Sequence, residues 1–241
     1  MANPILNEKF TENTKILDGE PMTVNGTIQI TAFLGLLVLA AAYFVWSRYT
    51  LGYMDLAIML MGIGGIVGFI LGLIISFTRN KILIPVYAVC EGLLLGGVSA
   101  NFEAAYPGIV SQAVAGTFAA LFSMLLLYKA NIIRCTDKFR SVIFISTCSI
   151  AVIYLVNFIG SFFHMSVPLI NSSSNAGIGI SAVIIIIAAL NLIIDFDFIE
   201  KGSQMMLPKD YEWYGAFGLM VTLIWLYLEI LRLLAKLQDR K

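Results

Sequence analysis

Seven stretches of about 19–23 mostly apolar residues run through this chain, near 28–47, 55–77, 82–100, 108–128, 141–163, 177–198 and 214–235. At 1.5 Å rise per residue, each is long enough as a helix to cross a hydrocarbon core of ~30 Å. A backbone in lipid must satisfy its own hydrogen bonds, which leaves helices or closed barrels, and these runs are too long for alternating barrel strands. The expected fold is therefore an all-α integral membrane protein of seven transmembrane helices, with the lipid bilayer as its principal partner. Composition agrees: 59% of the 241 residues are hydrophobic and 12% charged, about half the charged fraction of a soluble domain. Formal net charge is zero, so no basic surface points to nucleic acid.

The linkers are too short to fold separately, which divides the chain into an N-terminal segment, 1–27, and a transmembrane domain, 28–241. Residues 1–27 lack the basic start and short apolar core of a signal peptide. Asn25-Gly26-Thr27 matches a glycosylation acceptor, but it reads more simply as a turn. Lys and Arg set the orientation. The N-terminus and the even-numbered connections carry Lys9, Lys15, Arg79, Lys81, Lys129, Arg134, Lys138, Arg140, Lys201 and Lys209, ten of the fifteen basic residues. The positive-inside rule then puts the N-terminus in the cytoplasm and the C-terminus outside the cell membrane. Trp46, Trp213 and Tyr214 fall at span edges, where interfacial aromatics belong. Gly64, Gly68 and Gly72, at four-residue spacing in the second span, read as a close helix contact.

Acids inside a membrane are costly and rarely idle. Asp195 and Asp197 end the sixth span. At ~100° per residue they lie ~200° apart and cannot face one cavity. Asp195 shares a face with Asn191, one turn earlier, and is the acid expected to point inward. Glu91 lies near the middle of the third span and Glu229 deep in the seventh. These two either face one another across a shared proton or cation, or serve structure: Glu91 as helix–helix glue, Glu229 in an ion pair with Arg232 at i+3. Asn157 reads as glue. His164, the single histidine, stands at a span edge as an interfacial residue rather than a metal ligand. The three cysteines form no zinc or disulfide pattern, with Cys90 and Cys148 in spans and Cys135 in a loop. No nucleophile–base pair, metal-spaced cluster or phosphate loop appears, so neither an enzyme nor a cofactor is expected. Buried acids without histidines point instead to protonation or cation handling.

Three stretches resemble the Bax inhibitor-1 family, the transmembrane Bax-inhibitor-motif proteins, in its bacterial YccA-like branch. They are Asn3–Lys9 with Met22–Thr27, Asp195-Phe-Asp-Phe-Ile199, and Ala216–Ala235 ending Leu231-Arg232-Leu233-Leu234. The resemblance implies a seventh helix at the centre of six others, in a bacterial inner membrane. It implies a pH-sensitive calcium leak, controlled by an aspartate pair between spans six and seven and by an arginine ending span two. Asp195 matches the first aspartate and Arg79 the arginine, so an Arg79–Asp195 pair is expected at a cytoplasmic gate. The second aspartate is replaced. In the ungapped register Thr222 takes its place; in another, Glu229 does. Depth favours Thr222, ~12 Å into its span against ~22 Å for Glu229, with Asp195 ~6 Å from the same side. The conducted species would be calcium ions or protons. The alternative is a non-transporting regulator that binds a membrane protease or respiratory assembly during stress.

Overall fold

The computed structural model describes residues 20–163 and 172–240. His164 lies outside them. Among the described residues are seven helices: α1 (Val24–Thr50), α2 (Met54–Thr78), α3 (Leu83–Ala105), α4 (Ile109–Lys129), α5 (Asp137–Phe162), α6 (Asn175–Gln204) and α7 (Tyr211–Gln238). All seven are long and apolar enough to cross a membrane. Side chains such as Phe77, Ile66, Leu39 and Phe158 are exposed around the bundle. An apolar girdle this extensive belongs against lipid rather than water.

The helix ends follow local chemistry. Thr23 caps α1 by accepting the Gly26 N–H at 2.9 Å, and Ser174 caps α6 by accepting the Gly177 N–H. Glu103 accepts the N–H groups of Gly108 and Val110 at 2.6 and 3.1 Å, placing an anion at the positive start of α4. Arg79 ends α2 in the left-handed region at φ 51°. One sequence expectation is corrected here: Asn25-Gly26-Thr27 lies in the first turn of α1, not in a loop turn.

Two groupings build the core. In the first, α3 lies between α1 and α2. A Cβ at Gly92 or Gly96 would meet the carbonyl oxygens of Val38 and Ala42 of α1 at 2.5 and 2.4 Å, and one at Gly64 would meet that of Cys90 at 2.5 Å. Small residues thus let the backbones touch, as the spacing in span two suggested. In the second, α7 packs directly on α6, α1 and α4 and more lightly on α3. It is reached by Arg79, just past the end of α2, which meets Tyr211 and Tyr214, and from α5 by Tyr154, which donates to Glu229. The last helix is therefore central, and α2 and α5 form the outermost wall.

A short strap precedes α1. Met22 donates its N–H to the carbonyl of Leu207 at 2.7 Å, and its side chain, 1% exposed, fits between Gly202 of α6 and Gly215 of α7. The Thr23 N–H and hydroxyl both donate to the buried Glu212 carboxylate at 2.9 Å. Glu20 and Lys209 pair at the surface, each shifting the other: Lys209 holds the Glu20 carboxyl below its usual value, and Glu20 raises Lys209.

Candidate functional site

The thirty-residue α6 is ~45 Å long, about 15 Å more than a hydrocarbon core. Asp195 lies nine residues before its C-terminal end, which is on the same side of the bundle as the start of α1. Asp195 points at α7. A Cβ at Gly218 would stand 3.4 Å from its Oδ1, and the Thr222 hydroxyl, one turn further along α7, is the polar group beside it. Leu192, Phe196, Leu219 and Leu223 belong to the apolar cluster on either side. Oδ2 is sealed from solvent and has no hydrogen-bond partner, the one such buried side-chain atom among the described residues. A buried polar atom without a partner costs on the order of 1–3 kcal/mol, so its presence needs a reason.

The expected Arg79–Asp195 pair is not formed. Arg79 Nη1 donates to the Tyr211 hydroxyl at 3.5 Å, and the Arg79 carbonyl accepts the Tyr214 hydroxyl. The physical reason is the position of Arg79 beyond the end of α2, a helix that does not pack on α6. A cavity of about 170 Å³ lies between α2, α6 and α7. Arg79, Tyr211 and Tyr214 line it together with Phe198, one turn beyond Asp195, and Phe217, beside Gly218.

Asp197 does face away from Asp195, but it is no idle surface acid. It is 5% exposed and accepts Arg140 Nη2 of α5 at 2.7 Å and Lys201 Nζ, one turn on, at 2.8 Å. Arg140, counted in the sequence as a loop charge, is a functional neighbour that periodicity could not supply. Burial and the Asp197 charge push the nearby Cys135 thiol above its ordinary value. The Asn191–Asp195 stripe divides between two partners. Asn191 Nδ2 donates to Thr147 of α5 at 2.9 Å, while Asp195 turns to α7.

Glu91 and Glu229 do not face one another. Glu91, 8% exposed, lies against α2, its Oε1 3.0 Å from where a Gly68 Cβ would be, with Tyr87 beside it. Glu229, 2% exposed, accepts the Tyr154 hydroxyl of α5 at 2.7 Å and Arg232 Nη1 at 3.3 Å. The Arg232 guanidinium also lies 5.2 Å above the Tyr154 ring. The shared site is thus replaced by the i+3 ion pair, because equal depth does not fix which way two helices turn. Tyr154 was missed by sequence reasoning, although it stands at seven-residue spacing from Thr147 and Arg140, a helical-face signal.

These features define a multipass helical membrane protein with a buried acid, Asp195, between its last two helices, one of whose oxygens has no partner. The chain belongs to the Bax inhibitor 1 like family, whose model matches residues 3–239. No curated protein matches the chain.

Proposed function

We propose that the protein is a pH-responsive ion leak of the cell membrane, with Asp195 as the intramembrane acid that responds. Thr222 is its partner, Arg79 flanks the approach from the cytoplasmic side, and no catalytic residue is required. The N-terminus lies in the cytoplasm and the C-terminus outside, the orientation that the ten-to-five division of basic residues favours. One observation carries this reading: a sealed carboxylate oxygen without a partner, in a helix pair at the centre of a membrane-spanning bundle. A purely structural acid would be satisfied, as Asp197 and Glu229 are. Those paired acids, in dry packing, favour the second reading, a non-transporting regulator that binds a membrane protease or respiratory assembly.

Purified protein in vesicles under an imposed potassium diffusion potential separates the two. The leak reading expects the potential to decay faster than in empty vesicles, with a rate that depends on pH. Asp195→Asn should remove that dependence, whereas Asp197→Asn should lower stability and leave the dependence in place. Decay no faster than in empty vesicles would favour the regulator.

A further inference from the structure

We infer, resting on the leak reading, that the ion taken by the Asp195 site is a proton and that the site in this chain does not accept a divalent cation. The argument is one of donor chemistry. Calcium is held by six to eight oxygen ligands, several of them carboxylates. Beside Asp195, α7 offers the Thr222 hydroxyl and a glycine, and the flanking residues are Leu192, Phe196, Leu219 and Leu223. No second acid is at hand. Asp197 is occupied by Arg140 and Lys201 on the opposite side of α6, Glu229 by Arg232 and Tyr154, and Glu91 lies between α3 and α2. Among the described residues no three His, Cys, Asp or Glu side chains come together. One carboxylate cannot offset the cost of stripping water from a doubly charged ion in an apolar wall.

A proton makes no such demand. It forms a single O–H bond to Oδ2, neutralises the carboxylate and leaves nothing further to coordinate. The Thr222 hydroxyl suits both states, because it can donate to the other carboxyl oxygen whether the group is ionised or carries the proton on Oδ2. A second carboxylate at that position could not donate once ionised. The charged and titratable groups on the surrounding elements are engaged elsewhere. Arg79, just past α2, donates to Tyr211 of α7 and its carbonyl accepts from Tyr214, Arg140 of α5 and Lys201 of α6 hold Asp197, and Tyr128 of α4 donates to Glu200 at 2.5 Å. The charge on α1 is Arg48, at the opposite end of that helix. The cavity beside Arg79 is lined by Phe198, three residues beyond Asp195, and by Phe217, next to Gly218, which makes it the candidate approach for a proton.

The test loads vesicles containing the full chain with a pH indicator or a calcium indicator and imposes each gradient in turn. Expected are proton entry above that of empty vesicles, calcium entry equal to theirs, loss of the proton leak in Asp195→Asn and its retention in Asp195→Glu. Thr222→Asp, restoring a second acid, should add calcium entry. Calcium entry in the unaltered protein that Asp195→Asn removes would overturn the proton assignment and leave the leak reading standing. A proton leak indifferent to Asp195→Asn, or a folded Thr222→Asp protein that admits no calcium, would also overturn it. Failure to move either ion would remove the leak reading itself, and this inference with it.

Discussion

A methyl group at position 96 would sit 2.4 Å from the carbonyl oxygen of Ala42, and the atom it meets is backbone, which cannot swing aside. Gly96→Ala gains up to ~1 kcal/mol of helix propensity but incurs overpacking of about 1–3 kcal/mol, so the net effect is destabilising. Gly179, with nothing within 4 Å of its virtual Cβ, is the control. Melting of the two alanine variants in detergent should show a lowered midpoint for position 96 and an unchanged or raised one for 179. Equal midpoints would mean that α1 and α3 are not in backbone contact. At this scale the sequence was partly legible. The ~200° between Asp195 and Asp197 follows from helix geometry, and the two residues do serve opposite neighbours. Which neighbours they serve was not legible, because Arg140 lies 57 residues from Asp197 and no local period relates them.

Helix α5 is attached differently from the others. Among the described residues, its only backbone neighbour is α6. Polar contacts recur along one face of it, among them Arg140 to Asp197 at 2.7 Å, Thr147 from Asn191 at 2.9 Å, and Tyr154 to Glu229 at 2.7 Å. The buried Ile143 and Ile150 fall between them. Interhelical hydrogen bonds in membranes contribute roughly 0.6–2 kcal/mol each. Removing Arg140 should cost more, since it leaves the buried Asp197 with Lys201 alone, although the half-exposed arginine moderates the loss. Unfolding midpoints should therefore fall furthest for Arg140→Ala and less for Asn191→Leu and Tyr154→Phe. The reverse order would show that α5 is held by its apolar surface instead. The existence of α5 was plain from its apolar run, but its attachment was not. A lipid-facing helix is apolar on the outside, so the rule that apolar faces turn inward gives no signal.

Across the whole molecule, the strap ties the first helix to the last two. Its outer pair, Glu20–Lys209, is fully exposed, and such pairs contribute little. With the Glu20 carboxyl lowered, any stability from the pair is present above the ordinary value of 4.5 and is lost as pH falls through the lowered one. With Lys209 raised, it persists to the alkaline side of 10.5. Lys209→Ala should thus melt slightly below the unaltered protein at pH 7, and the difference should close in acid well below pH 4.5. Glu212→Gln, which alters a carboxylate 3% exposed at the start of α1, should produce the larger drop at pH 7. A gap for Lys209→Ala that widens on acidification would reverse the sign argued here. The count and placement of spans at this scale were written in the apolar runs. The strap was not, because short polar segments carry no period that points to a partner at the far end of the chain.

That strap also keeps time. Thr23 and Glu212 are 189 residues apart, and at about 5–20 residues per second of synthesis roughly ten to forty seconds separate their emergence. For that interval the first helix sits in the membrane with Met22 bare and its anionic receptor unmade. Docking of Thr23 can occur only after the start of the seventh span has been produced, so a chain stalled before Glu212 leaves Thr23 without its acceptor.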